Sequence, residues 1–248
     1  MVSMSTQPWY VDAFTADYLD VYAHRDAPSA AREAKGALSL MGHSRTNDRL
    51  LDLAAGAGRH AQAFVAERCH VTCLDLSEDL TARSRKAGLR TVRGDMRHLP
   101  FRDWAFDSVA CLFSSFGYFH DEPDHATTLG EIARVLTPGG RVLLDLMDPD
   151  TVAATLVPQG LDMMGDFIVE VERGMTRDGK RVEKSIRLVR GDRCEKAWVE
   201  SVRLFTENEL EELAEGAQLE PVSVSGDYDG RPHAPGQTRR LMVLRKPK

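Results

Sequence analysis

The feature that most constrains this fold is a recurrence between residues 49 and 146. Five short apolar runs, 50–53, 71–74, 90–92, 108–113 and 141–146, alternate with segments of helical spacing. Runs this short suit strands better than helices, and strands alternating with helices build a parallel sheet with helices on both faces. Ser77 followed by Glu78 and Asp79 marks one helix start. Pro123 opens another helix, in which Leu129, Ile132, Val135 and Leu136 share a face. The expected fold is α/β, a doubly wound, mostly parallel, seven-stranded sheet of Rossmann-like type. The last two strands, 221–224 and 240–244, follow a helix that begins at Thr206.

Two further units flank this core. Residues 6–41 read as two helical segments parted around 25–29, carrying Trp9, Tyr10, Phe14, Tyr18 and Tyr22. Segments 166–173, 181–189 and 194–205 alternate with period two and are joined by the turn pairs Asp178-Gly179 and Gly191-Asp192, so an inserted antiparallel unit is expected. The inserted strands carry Phe167, Val169, Val171, Ile186, Leu188, Trp198 and Val202 on one face, which either caps a pocket or meets a second subunit, leaving a homodimer open. The chain thus divides, within one domain over 1–248, into an N-terminal helical part (1–45), a sheet core (46–150), an insertion (151–205) and a C-terminal part (206–248).

Charge narrows the function. Lys and Arg number 32 against 38 Asp and Glu, a net charge of -6 with the signs mixed along the chain. That balance argues against duplex nucleic acid or an anionic membrane as a partner. No run approaches the roughly 18 apolar residues of a membrane span, and the start MVSMSTQPW lacks a signal-peptide pattern, so a cytoplasmic protein is expected. Cys69, Cys73, Cys111 and Cys194 show no CxxC spacing and read as buried free thiols rather than zinc ligands or disulfides.

The segment DLAAGAGRH, 52–60, lies between a strand and a helix, where glycines admit a ligand close to the backbone and a helix start offers free N–H groups. A dinucleotide fingerprint would need glycine at 54, 56 and 59. The chain has Ala54, Gly56 and Arg59, with its second glycine at Gly58, so a nicotinamide or flavin oxidoreductase is disfavoured.

The ordered set Asp52, Gly56, Gly58, then Asp75 ending the second strand, then Gly94-Asp95-Met96 after the third, then LTPGG before the fifth, resembles the class I S-adenosylmethionine-dependent methyltransferases. The likeness is greatest to bacterial small-molecule enzymes, in which a segment like SSFGYF follows strand four. Ala54 replaces the family's first glycine, a modest departure provided the turn there keeps φ below zero.

The resemblance implies S-adenosyl-L-methionine as cofactor, with S-adenosyl-L-homocysteine as product. Asp75, with Leu76 beside it, would accept hydrogen bonds from the ribose diol. Asp95 would receive the adenine amino group, and Met96 would pack on the ring. Leu112 and Phe113 would line the site, and Tyr22 or Arg25 would reach the methionine carboxylate. A non-catalytic binding module that keeps the cofactor fold is the alternative from another class.

Ligands of open parallel sheets lie beyond the carboxyl ends of the strands. This selects Tyr118 and His120 after strand four, and Tyr228 and His233 in the 226–233 loop, as candidates for acid–base work. LFSSFGY lacks the prolyl turn that would receive a flipped base, so a small-molecule acceptor is expected, with nitrogen or oxygen ahead of carbon. Period two turns Asp145 away from Asp148 and Asp150, so no catalytic metal is expected. Phe116 and Phe119 read as core. The chemistry would be in-line displacement at a sulfonium methyl, which asks mainly for positioning.

Overall fold

The computed structural model describes residues 8–14, 21, 27–42 and 48–248. Its main sheet is formed by β1 (Arg49–Leu53), β2 (His70–Asp75), β3 (Thr91–Arg93), β4 (Phe106–Cys111), β5 (Leu136–Met147), β10 (Glu220–Ser225) and β11 (Arg239–Arg245). The order is β10-β11-β5-β4-β1-β2-β3. Pairing is parallel from β3 to β5, β11 runs antiparallel to β5, and β10 runs antiparallel to β11. Helices α2 (Ala27–Leu40) and α3 (Arg59–Ala66) belong to the core on one face, while α5 (Glu122–Val135) and α7 (Glu207–Gly216) belong to the core on the other.

Because helices bury both faces, the strands are mostly apolar, and their period of two sorts side chains between two cores. On β5, Val142, Leu144 and Leu146 join one core and Leu143 the other; on β11, Met242 and Leu244 part from Leu241 and Val243 in the same way. Asp52, Asp75 and Asp145 share the parity of Leu50, Cys73 and Leu143. All three therefore leave their strands toward the α2/α3 face.

The structure moves several sequence-based boundaries. Strand β4 stops at Cys111 rather than at residue 113, because Phe113 (φ 55°) and Ser114 (φ 62°) are both left-handed and break the extended chain. The expected turn LTPGG is instead a bulged opening of β5: the β4 register jumps from Phe106↔Leu136 to Ser108↔Arg141. Helix α2 begins inside the expected break, since a proline at its second position is tolerated in a first turn. Tyr18, Tyr22 and Arg25 lie outside the described residues.

The insertion has four strands, not three: β6 (Gln159–Met164), β7 (Phe167–Met175), β8 (Arg181–Arg190) and β9 (Arg193–Arg203), antiparallel in that order. Edge strand β6 escaped the pattern because its apolar residues face outward, Leu161 being 78% and Met163 66% exposed. Cys194 is exposed near the β8–β9 turn, unlike the buried Cys69, Cys73 and Cys111, so the reading of four buried thiols fails there. The inner face carries Val169, Val171, Ile186 and Leu188 as expected, with Phe167 and Trp198 partly buried against them.

Arg181 ties this sheet to the main body. It is 7% exposed. Its Nη1 donates to Phe119 O at 2.8 Å and its Nη2 to Ser201 O at 2.8 Å and, more weakly, to Gly117 O at 3.4 Å; Nε donates to Ser201 Oγ at 2.9 Å. Gly117 permits the approach, because a Cβ there would stand 2.6 Å from Arg203 O. Replacing Arg181 by Ala leaves buried carbonyls without donors and is expected to cost about 3 kcal/mol of stability in urea denaturation. A loss below about 0.5 kcal/mol would mean that water replaces the guanidinium.

Candidate functional site

Three cavities meet at the carboxyl ends of β1, β2, β4 and β5. The first, about 420 Å³, is lined by Asp52, Gly56, Arg59, His60, Asp75 and Leu112 among others. A smaller one beside it is bounded by Leu76, Asp95, Met96 and Phe119. The third, about 740 Å³, opens between the main sheet and the inner face of the insertion, where Val182, Lys184, Glu200 and Val202 form its roof. Phe14 and Tyr118 line all three, and Phe113 lines the first and third.

The first cavity is anionic at its base. Asp75 is held by Gly56 N at 2.7 Å and Ser77 N at 2.9 Å, while Asp52 Oδ2 is buried with no hydrogen-bond partner. Burial raises the Asp52 carboxyl to about 7, with the Asp75 charge second, and burial likewise raises Asp75. An unpaired acceptor beside a second buried carboxylate calls for a cationic, hydroxyl-bearing ligand. S-adenosylmethionine carries an ammonium, a sulfonium and a ribose diol, so these residues fit it.

The loop around this base differs from expectation at two positions. Ala54 has φ 58°, not a negative value, and so carries the left-handed strain that the family's glycine avoids. Gly58, also left-handed at φ 85°, lines none of the three cavities. A Cβ at Gly58 would stand 2.2 Å from Leu89 Cδ1 and 3.0 Å from Ser84 Oγ, so this glycine serves packing between α3 and the segment from α4 (Glu78–Lys86) to β3.

Asp95 borders the small cavity with Met96 as expected. Its carboxylate is engaged by Arg97 (Nη2 to Oδ2, 2.6 Å), which also donates to Asp124 at 2.7 Å. Burial pushes the Asp95 acid up, but the Arg97 hydrogen bonds and charge override it and hold it below its ordinary value. Arg59 and His60, at the start of α3, converge on Glu33 Oε2 at 3.1 and 2.8 Å. Sequence reasoning missed this trio: Arg59 registered only as a failed glycine, although its place right after the loop was the available signal.

Of the four acid–base candidates, only Tyr118 borders the cavities. Its ring stacks on Phe14 with centroids 5.4 Å apart and an interplanar angle of 27°. His120 is exposed and outside all three cavities. Tyr228 Oη donates to Asp145 Oδ2 at 2.8 Å, and burial with the Asp145 charge raises this phenol well above its ordinary value, so it is no base. His233 Nε2 lies 3.2 Å from Asp148 Oδ2, away from the cavities. Phe116 is wholly buried, whereas Phe119 is buried yet borders the small cavity. As alternation requires, Asp145 and Asp148 point apart, the one to Arg239 and the other to Arg240.

A sheet of this order with a glycine loop after β1 and an acidic residue ending β2 defines a Rossmann-like nucleotide-cofactor enzyme. Residues 50–140 match a family described as a methyltransferase domain. The chain is 30% identical over 208 residues to the cypemycin N-terminal methyltransferase of a Streptomyces species, covering 79% of this chain and 82% of that one. It is 33% identical over 134 residues to the dTDP-3-amino-3,4,6-trideoxy-alpha-D-glucopyranose N,N-dimethyltransferase of Streptomyces venezuelae, about half of each chain (52% and 56%). The structure of S-adenosylmethionine-bound CalS10, an amino pentose methyltransferase from Micromonospora echinaspora, superimposes with a TM-score of 0.69 at 25% identity, over 93% of this chain and 96% of that one. The chain belongs to the S-adenosylmethionine-dependent methyltransferases. It is an enzyme of methyl transfer. No helix among the described residues is long and apolar enough to cross a membrane.

Two outcomes test this geometry. Ala54→Gly removes the left-handed strain at a smaller cost in unfolded-state entropy, and is expected to raise stability by about 0.5–1 kcal/mol in chemical denaturation. The Asp52 carboxyl, protonated below about 7, meets a cationic ligand best when ionised. Affinity for S-adenosylmethionine therefore rises as pH rises through 6 to 7, with proton release on binding near pH 6. Calorimetry in buffers of different ionisation enthalpy should show that proton for the wild type and not for Asp52→Asn.

Proposed function

We propose that the enzyme methylates the amino group of a small molecule bound in the cavity beneath the inserted sheet. The observation that carries this reading is the character of the junction. The cofactor and acceptor cavities share the aromatic residues Phe14, Phe113 and Tyr118, and among the described residues no histidine lines the acceptor cavity. A neutral amine needs no base to attack; a hydroxyl or acidic carbon would gain from one. The named relatives, an N-terminal methyltransferase and an amino-sugar N,N-dimethyltransferase, support nitrogen as the acceptor atom.

When bound, S-adenosylmethionine supplies an electrophilic methyl on a positively charged sulfur. Asp75 would take the ribose hydroxyls, Asp52 would face the ammonium, and Met96 with Asp95 would flank the adenine. Arg59, at the start of α3 and on the cofactor cavity, would meet the methionine carboxylate. The aromatic walls have two effects. They exclude water from the line of attack, and their faces stabilise positive charge whether it sits on sulfur or on the methylated nitrogen. Tyr118 orients the acceptor rather than removing a proton.

The test is turnover to S-adenosylhomocysteine by the purified protein with paired acceptors: amino sugars and free-amine peptides against the matching alcohols. Amines should react and alcohols should not, with the rate rising as the amine loses its proton. Turnover of alcohols alone would overturn the reading. Tyr118→Ala is expected to lower acceptor kcat/KM at least about tenfold, while His120→Ala and His233→Ala remain within about twofold of wild type.

A further inference from the structure

One charged row of the inserted sheet lines the acceptor cavity, with apolar rows on either side of it. In register across β7, β8 and β9 stand Arg173, Lys184 and Glu200. The adjoining row toward the β7–β8 turn is Met175, Val182 and Val202, and the row on the other side is Val171, Ile186 and Trp198. All three charged residues line the cavity. Arg173 and Lys184 are directly opposed like charges, an arrangement that destabilises an antiparallel pair and so needs a counter-charge. Glu200, which accepts from Trp198 Nε1 at 3.3 Å, faces Lys184 and supplies one negative charge for two positive ones.

The surplus falls on Arg173. Among the described residues its guanidinium has no carboxylate partner, its one side-chain hydrogen bond being a long one of 3.4 Å from Nη1 to Val157 O. Room has been kept for it: Gly160 on β6 lies alongside, where a Cβ would stand 3.2 Å from Arg173 Nη1. The other arginine on the cavity, Arg239, is neutralised by Asp145. Among the described residues, the cavity thus holds one guanidinium whose fork is open to a ligand.

We infer that this row recognises an anionic group, phosphate or carboxylate, on the methyl acceptor, with Arg173 as its principal contact and Lys184 beside it. The inference rests on the acceptor cavity assigned above. Bidentate recognition by a planar guanidinium suits either group. It makes the acceptor a zwitterion or an amino phosphate rather than a simple amine, held at the roof by its anion while the amine reaches the aromatic junction.

Calorimetry on the full chain saturated with S-adenosylhomocysteine, titrated with inorganic pyrophosphate and separately with succinate, tests it. One probe or both should bind the wild type, and at least about tenfold more weakly to Arg173→Met. Arg187→Met, on the outer face in an exposed pair with Glu170, should leave that binding unchanged. Unaltered S-adenosylhomocysteine affinity in both variants certifies the fold. Preference for pyrophosphate identifies a phosphorylated acceptor, and preference for succinate a carboxylate. No binding of either probe, or equal binding to Arg173→Met, overturns the inference.

A turnover arm separates it from the amine reading. Glucosamine and glucosamine 6-phosphate methylated equally well would sink the anion site alone. Arg173-dependent anion binding without methylation of any amine would sink the amine reading alone.

Discussion

One carboxylate oxygen organises the floor of the reaction site. Asp145 Oδ2, on the fully buried end of β5, accepts from Phe113 N at 2.9 Å, from Tyr228 Oη at 2.8 Å and from the Arg239 guanidinium. Ser114 N adds a bond to the Asp145 carbonyl at 2.8 Å. These contacts hold two consecutive left-handed residues, a conformation that costs free energy and persists only where neighbours over-determine it. The Phe113 ring is in turn flanked by Arg239 at 4.3 Å and Arg59 at 5.0 Å. The wall between cofactor and acceptor is therefore a strained loop clamped by a buried ion pair, and the strain aims the aromatic face.

The same parity that places Asp145 places Asp52 and Asp75. Three carboxylates leave three strands on one face of the sheet, and the protein neutralises them differently. Asp145 receives an arginine, and Asp75 receives backbone N–H groups. Asp52 and Asp145 each keep one oxygen without a partner, but Asp145 has the Arg239 guanidinium on its other oxygen, whereas Asp52 has no cation bonded to it among the described residues and its acid is raised by burial. The uncompensated one marks where a cation belongs. Burial of a charge is costly enough that its exceptions locate the ligand.

Much of this was legible in the sequence, for reasons of periodicity. Strands buried on both faces write mostly apolar runs, and the ligand-binding ends of a parallel sheet follow from topology, so Tyr118 could be named in advance, while Asp52, Asp75 and Asp95 are named from the family resemblance. What escaped had no local signal. Tyr228 and His233 stand in a loop with polar composition, and only the fold shows that one serves Asp145 and the other Asp148. The positive φ of Ala54 is imposed by the turn against the alanine's own preference. Strand β6 is an exposed edge whose residues alternate in burial with nothing, and the charged row of Arg173, Lys184 and Glu200 exists only in register across three strands.

The inserted sheet is more than a cover, because its attachment runs through the loop that carries Tyr118. Arg181 on β8 donates to the carbonyls of Gly117 and Phe119, the residues on either side of Tyr118, and Trp9 Nε1 donates to Tyr118 O at 3.3 Å. Roof, loop and N-terminal segment thus hold the same three consecutive peptide units. On the proposed function, acceptor recognition at the roof and alignment at the aromatic junction act through the same loop, so binding energy is available to align the acceptor for attack.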